Sequence, residues 1–316
     1  MSGCMKNSNL KKLKKIIKVK DIVLITGANG HLAKVVSKYL SKDFIVRHLT
    51  TQKIITHKNS FFHWDVKKKY IDPKALKNCK HIIHLAGFPI LKKWTSKNKE
   101  TMYNSRVKAS RIILDTCKKI NVKPKTFISA SAIGIYEKSL KENVNEDSPK
   151  GKDWLAKMAY DWEDAAKQFK TIGCRVVQMR ISLIFSEKAG FLKYNLLSMK
   201  FGFGATLGNL DRKVNWMHVK DIARFIKESI KNNNYNGPYN LACDDKISQR
   251  KFISEIKKNL FPYAIIIKIP MFLIRFFIGE RSQIIETDLS LNTNKIKKYG
   301  FKFEINSLEK ILKNKN

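Results

Sequence analysis

The chain has 316 residues, of which 43% are hydrophobic, so it is long enough to bury one large core or two unequal ones. Its 63 lysines and arginines against 26 acidic residues give a formal net charge of +37, which favours non-specific association with nucleic acid or anionic membranes. The lysines are spread through every segment without zinc-finger spacing or a base-stacking motif, so we expect a solvated basic surface and no specific nucleic-acid partner.

Residues 1–20 form a basic extension, and its apolar residues have helical spacing: Leu10, Leu13, Ile16 and Ile17. The pattern fits either a short surface-seeking helix or a frayed extension, and it lacks the features of a signal or transit peptide. The five cysteines are far apart, with no C-x-x-C pair. We therefore expect reduced thiols, a cytoplasmic location and no metal site.

From residue 21 onward, β-branched runs alternate with segments of helical periodicity. The predicted strands are Ile22–Thr26, 44–49, 61–64, 81–85, 126–131 and Arg175–Ile181, and the predicted helices are 32–40, 100–120 and 154–169. This alternation predicts an α/β fold, a Rossmann-type doubly wound parallel sheet with helices on both faces.

The pattern loosens after Arg180. The glycines of 201–208 indicate loops, 216–230 reads as a strand followed by a helix, and 248–312 contains helical segments. We predict a dinucleotide-binding domain over 21–185 and a smaller substrate-side cap over 186–316, with a short strand near 238–242 returning to the main sheet. The most apolar stretch, 264–279, is interrupted and too short to cross a bilayer, so a buried or groove-lining helix is expected after Pro270.

The first strand runs directly into a glycine turn and then a helix. Gly27 permits the tight turn, Gly30 leaves the amides open to a diphosphate, and Ala33 is small enough for close packing of helix on strand. The other predicted cofactor contacts of the turn are Asn29, His31 and Leu32. His31 either lends charge near the phosphates or is simply solvated. An ordinary strand–turn–helix that binds no nucleotide is the alternative reading.

An ordered series of short segments resembles the atypical short-chain dehydrogenase/reductase (SDR) enzymes of the epimerase-like, extended-SDR group. The matching segments are Thr26–Gly30, 84–87, 93–95, 105–107, 128–132, 146–149, 161–163, 216–218, Asp221 and Gly237–Pro238. They run in family order over nearly everything but the basic extension. The resemblance implies a nicotinamide dinucleotide held by the glycine turn, with further contacts from Leu85, Ala86 and Gly87. In similar proteins an aspartate at the position of Asp65 contacts the adenine; a loop-capping role is the alternative.

The end of the second predicted strand bears on the choice of cofactor. An enzyme that prefers NAD usually places a carboxylate there, to bind the ribose hydroxyls. Here the strand ends in 49–53, with Thr51 and Lys53 and no carboxylate. We therefore expect NADP(H) to be preferred over NAD(H).

The Tyr and Lys of the usual SDR motif Y-x-x-x-K are missing. Aligning the helix on Glu163 places Leu155 and Ala159 at the Tyr and Lys positions, whereas starting from Tyr160 places Asp164 four residues on. A carboxylate there would raise the phenol's pKa, so neither alignment supplies the proton relay.

Hydroxyl groups remain as candidates for chemistry. Ser131 ends the fifth predicted strand, where relatives often place a serine against the substrate carbonyl, and Tyr160 lies on the helix face opposite the core stripe. Ser129, on the same strand face as Ser131, is a predicted cofactor contact. Arg106 can bind phosphate or carboxylate, and Arg180 either does the same or forms a buried salt bridge.

His218 suggests either an acid/base group or a structural strand end, with Asp221 as the N-cap of the next helix. Two functions stay open. One is an NADP-dependent reductase or epimerase-like oxidoreductase acting on a small carbonyl or sugar-like substrate. The other is a non-catalytic dinucleotide-binding sensor or partner-binding protein on the same fold.

Overall fold

The computed structural model describes residues 20–52 and 60–313. Lys53 and almost all of the basic extension lie outside the described residues. The described residues form two large buried layers, which the main sheet separates, and two further clusters of buried apolar side chains.

The main sheet has eight strands in the order β12-β7-β6-β5-β1-β2-β3-β4. All neighbours pair in parallel except β3 and β4, which are antiparallel. The strands are β1 (Ile22–Thr26), β2 (Ile45–Thr50), β3 (Phe61–Asp65), β4 (Tyr70–Ile71), β5 (Cys79–His84), β6 (Thr126–Ala132), β7 (Arg175–Ile181) and β12 (Gly237–Leu241). The chain runs outward from β1 to β3 and then returns to the other side of β1, so the strand order reverses between β1 and β5. Open α/β sheets bind ligands at the carboxyl ends of the strands at such a reversal.

Helices cover both faces of this sheet. They are α1 (His31–Leu40) and α6 (Val219–Lys231), which pack against each other, and α3 (Ala109–Lys119) and α4 (Trp154–Lys167), which also do so. Along β1 the side chains alternate between the two layers, with Val23 and Ile25 in one and Leu24 in the other. The prediction of a Rossmann-type parallel sheet is confirmed.

The single helix predicted over 100–120 is wrong in its start and its continuity. The chain forms α2 (Ser96–Tyr103), a π-helical turn (Asn104–Lys108) and then α3. The Thr95 side chain caps α2 by accepting a hydrogen bond from the Asn98 amide, which moves the start four residues earlier. π-turns within helices are frequent at functional sites, and this one carries Arg106.

The C-terminal part contains three small strand pairs. They are β8 (Leu183–Phe185) with β11 (Trp216–His218), β9 (Phe203–Leu207) with β14 (Ile265–Ile269), and β10 (Lys213–Val214) with β13 (Ile247–Ser248). Its helices are α5 (Gly190–Lys200), α7 (Gln249–Leu260), α8 (Met271–Ile278), α9 (Ser282–Glu286), α10 (Asn294–Lys297) and α11 (Leu308–Lys313). The loop predicted over 201–208 is therefore wrong, since β9 occupies most of it. Although they follow residue 185, β12 belongs to the main sheet and α6 packs against α1 on one face of that sheet. The domain boundary at residue 185 therefore stays a prediction.

Helix α8 begins directly after Pro270, as predicted, but it is not buried. Ile274 is its only buried residue, and Phe272, Phe276 and Phe277 are exposed. Within the described ranges, none of the helices combines the length and apolarity that a membrane crossing requires.

Candidate functional site

The glycine turn lies between β1 and α1, at the reversal of strand order. Gly27 has a φ of +74°, and a Cβ there would lie 3.0 Å from the backbone of Ala86. Gly30 is the N-cap of α1 and offers no side chain, and its amide donates a hydrogen bond to the Gly27 carbonyl at 2.8 Å. With neither a capping side chain nor an acidic residue in the first turn, the N-terminal amides of α1 are suited to an anion.

The end of β5 is tied to this turn by Thr26. The Thr26 hydroxyl accepts hydrogen bonds from the amides of Leu85 and Ala86, both at 3.0 Å. The same hydroxyl lies 2.8 Å from Nδ1 of His84. His84 is fully buried, and this burial lowers its pKa to about 4. His84 is therefore neutral at pH 7, and the two strand ends form one rigid floor. Leu85, Ala86 and Gly87, which the resemblance assigns to the cofactor site, all lie on this floor.

Two cavities open on either side of the glycine turn and share Gly27, Gly30 and Leu85. The strand-2 cavity, of about 340 Å³, is lined by Gly27–Gly30, Leu49–Thr51, Trp64, Val66, 85–88, Thr101 and Ser105. The strand-6 cavity, of about 450 Å³, is lined by residues from the glycine turn, α1, 130–132, α4 and 181–190, together with Leu85, Ile90 and Arg106. The pair forms one cleft with the helix N-terminus at its middle, the arrangement a dinucleotide needs. Asn29 and Thr51 line the first cavity, and His31 and Leu32 the second.

Arg106 is a half-buried cation in this cleft. Its Nη1 donates to the carbonyls of Phe88 and Met102, both at 3.1 Å, and its guanidinium lies 5.3 Å from the centre of the Trp162 ring. Among the described residues it has no carboxylate partner, and burial lowers its pKa to about 10. Gly87 makes room for it, since a Cβ there would lie 3.0 Å from the guanidinium carbon. An uncompensated cation beside a helix N-terminus fits a bound diphosphate.

His31 lines the strand-6 cavity with its ring turned toward the loop after β8. Its Nε2 is 2.8 Å from the Ser186 hydroxyl, and burial, with Lys188 nearby, lowers its pKa. His31 is thus held by a hydrogen bond within the wall of the strand-6 cavity, and its role toward a bound phosphate stays a prediction.

Ser131 faces the strand-6 cavity and is backed by a buried ion pair. Its hydroxyl donates to Oε1 of Glu163 at 2.8 Å, and Arg180 holds both oxygens of Glu163, at 2.8 and 3.0 Å. Burial acts to lower the pKa of Arg180, but the hydrogen bonds and charge of Glu163 outweigh it and raise that pKa. Arg180 also donates to Tyr136 and to the Glu146 carbonyl. Of the two readings of Arg180, the buried salt bridge is correct.

Leu155 and Ala159 line the same cavity as Ser131. They stand at the positions that the alignment on Glu163 gives to Tyr and Lys. The wall where a proton relay would lie is therefore apolar, with Met158, Ile181 and Ile184 nearby.

Several predicted site residues line neither cavity. Tyr160 is 45% exposed, with the Lys150 ammonium 4.6 Å from the centre of its ring, and it lines neither cavity. Ser129 is buried and donates to the Ala130 carbonyl at 2.9 Å. Asp65 accepts from the amides of Lys67 and Lys68, which lower its pKa, and it caps that turn beside the strand-2 cavity. Lys53 falls outside the described residues.

His218 and Asp221 have structural roles. The N-cap of α6 is His218, whose Nδ1 accepts from the Lys220 amide at 3.3 Å. The prediction of Asp221 as the cap is wrong, because that carboxylate lies in the first turn and binds Arg224 and the amides of Glu304 and Ile305. His218 also pairs with Glu187 at 3.5 Å, which lowers the pKa of that carboxyl to about 2.

Sequence reasoning missed three parts of the site. Trp64 and Trp162 supply aromatic walls, and the segment 182–190 closes the strand-6 cavity. In the sequence, Glu163 was used only to align the helix. A carboxylate on the side of the helix that packs on β6 and β7 could have indicated a buried partner such as Ser131 or Arg180. The segment 182–190 carried no motif that would have revealed it.

The comparisons with known proteins agree with this geometry. A family model described as the NAD dependent epimerase/dehydratase family matches residues 23–242. An epimerase family protein of Staphylococcus haemolyticus is 30% identical over 298 residues, covering 90% of this chain and 96% of its own length. An epimerase family protein of Bacillus subtilis is 32% identical over 231 residues, covering 72% of this chain and 75% of its own length.

Solved structures of low identity share the fold. The human epimerase family protein SDR39U1, crystallised with NADPH, superposes with a TM-score of 0.80 at 19% identity, covering 93% of this chain and 98% of the human one. A UDP-N-acetylglucosamine 4-epimerase of Methanobrevibacter ruminantium, in complex with UDP-N-acetylmuramic acid, gives a TM-score of 0.75 at 18% identity. It covers 93% of this chain and 96% of its own.

Proposed function

Because the chain belongs to the NAD dependent epimerase/dehydratase family, in the extended-SDR group that its motifs resemble, we propose that it binds NADP(H) and works as a reductase or epimerase-like oxidoreductase. The substrate would be a small carbonyl or sugar-like compound. One observation carries the proposal: two cavities meet at a glycine turn, and the start of the helix that follows it lines one of them together with Arg106, which has no carboxylate partner among the described residues. Bound nicotinamide would supply the hydride transfer.

The residues divide the cleft by chemistry. The amides that follow Gly30, together with Arg106, would hold the diphosphate at the middle. The strand-2 cavity, with Trp64, Val66 and Leu49, offers an apolar slot for the adenosine half. The strand-6 cavity would then take the nicotinamide half next to Ser131.

A preference for NADP(H) rests on the surroundings of Thr51. Thr51, Trp64 and Val66 also line an adjoining groove of about 900 Å³. The charged residues of that groove are five cations, Lys67, Lys69, Lys97, Lys108 and Arg111, and three acids, Asp65, Glu100 and Asp115. A 2′-phosphate at Thr51 would meet net positive charge. The human epimerase family protein SDR39U1 was crystallised with NADPH and other structures of this fold carry NAD, so the proposed preference rests on the charge of this groove.

Ser131 is the residue we assign to the substrate. Its proton is donated to Glu163, so its oxygen has lone pairs free to accept a hydrogen bond from a substrate hydroxyl. Arg180 fixes the Glu163 carboxylate and thereby the Ser131 rotamer. Tyr160, directed away from the cleft, is given no chemistry in this proposal.

A non-catalytic dinucleotide-binding role is the second candidate. The apolar Leu155 and Ala159 favour it, because the residues that transfer protons in ordinary relatives are replaced there. Both candidates keep a cytoplasmic location as part of the proposal. The four described cysteines, Cys79, Cys117, Cys174 and Cys243, carry free thiols, as expected in a reducing compartment.

Binding is tested by titrating the protein with NADPH and with NADH and following nicotinamide fluorescence. We expect saturable signals with both and a dissociation constant about tenfold lower for NADPH, since one charge-assisted contact to the 2′-phosphate contributes about that factor. No saturable signal with either nucleotide ends both candidate functions. Equal affinities for NADPH and NADH contradict the proposed preference for NADP(H) and leave both candidate functions in place.

Catalysis is tested by NADPH oxidation over a panel of small hydroxyaldehydes, hydroxyketones and sugar-like carbonyls, each of which carries a hydroxyl that can donate to Ser131. The Ser131→Ala variant should lose at least tenfold in kcat while binding NADPH normally. Ser129→Ala, on the same strand face and outside both cavities, is the matched control. Turnover that is equal in the wild type and Ser131→Ala contradicts the role of Ser131, and no turnover by the wild type favours the non-catalytic candidate.

A further inference from the structure

One face of the β9–β14 pair is entirely apolar and directed away from the core. The strands pair in parallel with Phe203 opposite Ile265, Ala205 opposite Ile267 and Leu207 opposite Ile269, so these six side chains share a face. Phe203 is 57% exposed and Ile265 63% exposed. The opposite face is the one that packs inward, since a Cβ on Gly204 would meet Met199 and Ile266 within 3 Å. A sheet with its apolar face toward solvent calls for a partner.

Helix α8 extends this surface. The chain passes from β14 through Pro270 into α8, and Met271 packs against Gly208 at the end of β9. Three phenylalanines of α8 are exposed: Phe272 by 67%, Phe276 by 81% and Phe277 by 75%. We call the six strand residues and these three phenylalanines the apolar platform. Phenylalanine side chains this exposed are uncommon in a monomer unless they bind something.

The charges around the apolar platform are mostly positive. The two segments that build it, 188–210 and 256–279, contain seven lysines and arginines, and four acids stand directly at their ends: Glu187, Asp211, Glu255 and Glu280. The exposed members include Lys193, Lys200, Lys258 and Lys268. Among the described ion pairs only Arg275 of the seven takes part, with Glu286 at 2.9 Å. The partner of this surface must therefore accept apolar side chains and cations together.

We propose that the apolar platform docks the protein on the surface of an anionic lipid bilayer. A second copy of this chain fits less well, because a two-fold contact sets the surface against itself and brings one mostly basic surface against another. An anionic bilayer supplies headgroup charge for the lysines and an acyl boundary for the phenylalanines. No helix has to cross the membrane for such docking. The proposal is independent of dinucleotide binding.

Flotation of the full chain with lipid vesicles tests this docking. Vesicles of phosphatidylcholine with about one third phosphatidylglycerol should bind the wild type, and phosphatidylcholine vesicles should bind it much less. The triple variant Phe272→Ser, Phe276→Ser, Phe277→Ser should bind the anionic vesicles at least about tenfold more weakly, since the apolar part of the contact is lost. Its NADPH affinity and thermal unfolding serve as checks of the fold.

A matched control separates the apolar platform from the overall charge of the chain. The double variant Ile45→Ser, Tyr70→Ser changes two side chains of the main sheet that are each 47% exposed, and it should bind anionic vesicles as the wild type does. Equal vesicle binding by the wild type and the phenylalanine variant overturns the proposal. A dimer in lipid-free solution that the phenylalanine variant converts to monomer assigns the surface to a second copy instead. Tight binding of a DNA duplex that this variant loses assigns it to nucleic acid.

Discussion

The two cavities of the cleft are built in different ways. The strand-2 side and the glycine turn are formed by backbone: Gly27, Gly30 and the amides that Thr26 fixes at the end of β5. The strand-6 side is held by side chains, through the buried ion pair of Glu163 and Arg180 behind Ser131. A site built from backbone suits the part of a ligand that a whole family shares. A site built from side chains can change with the substrate. The difference predicts which substitutions change binding and which change stability.

The largest effect is expected on the strand-6 side, from Glu163→Gln. Glutamine removes the charge opposite Arg180, which is 2% exposed, and an unpaired buried cation costs about 3–5 kcal/mol of the free energy of unfolding. Urea unfolding measures this loss. Asp164→Asn, one residue further along α4, is the control and should cost less than about 0.5 kcal/mol.

A double variant sharpens the Glu163 prediction. If the loss comes from the stranded charge, adding Arg180→Met to Glu163→Gln should recover part of the stability, because both charges are then gone. A double variant less stable than Glu163→Gln would contradict the charge explanation and point to packing. NADPH affinity should change little in either variant.

At the glycine turn, Gly27→Ala should act mainly on binding. The added Cβ would lie 3.0 Å from the Ala86 backbone and displace the floor of the cleft, so NADPH affinity should fall by about a hundredfold. Gly173→Ala is the matched control, because Gly173 has a φ of +77° with nothing within 4 Å of its Cβ position. Both variants bear a similar backbone strain, on the order of 1 kcal/mol. Equal NADPH affinities for the two variants would contradict the placement of the dinucleotide.

We expect the free energy of unfolding to depend on pH through His84, which lies in the floor beneath the glycine turn. Its pKa is about 4 in the folded protein and near 6.5 when unfolded, so below pH 6.5 the unfolded chain binds the extra proton. Stability is therefore lost as the pH falls from 6.5 toward 4, by about 2 kcal/mol at pH 5 for this group alone. Urea unfolding at pH 7 and pH 5 should show a smaller loss in His84→Gln than in the wild type, with His63→Gln as control. An identical loss in His84→Gln and wild type would refute the assignment.

Arg106→Met is expected to have the smallest effect on stability and a selective one on binding. Methionine removes a half-buried cation with no described carboxylate partner, so the melting temperature should hold or rise. NADPH affinity should drop by about tenfold through the lost contact to phosphate. Arg250→Met, at an exposed ion pair with Asp211, controls for the change in net charge. A lower melting temperature with unchanged affinity would make Arg106 structural.

The predictable parts of this molecule are those encoded locally. The strands of the main sheet follow from β-branched runs that end in glycine or polar residues, and the turn follows from the spacing of Gly27, Gly30 and Ala33. β9 and β14 were missed because glycines within 201–208 suggested loops and the isoleucine run before Pro270 has no decisive period.

The strand-6 side could not be derived in the same way. Whether Ser131 meets Glu163, and Glu163 meets Arg180, depends on how α4 packs on β6 and β7, which no local spacing records. Ser129 shares a strand face with Ser131, as alternation predicts, yet its hydroxyl is bound to the Ala130 carbonyl. The exposure of α8 was likewise invisible, because a buried helix and a docking helix have the same apolar composition.

A crystal structure of the complex with NADPH tests the central idea most directly. We expect the diphosphate on the amides that follow Gly30, within hydrogen-bond distance of Arg106, and the nicotinamide ring in the strand-6 cavity between Ser131 and Leu155. A dinucleotide bound away from the glycine turn, or a nicotinamide ring outside that cavity, would contradict it.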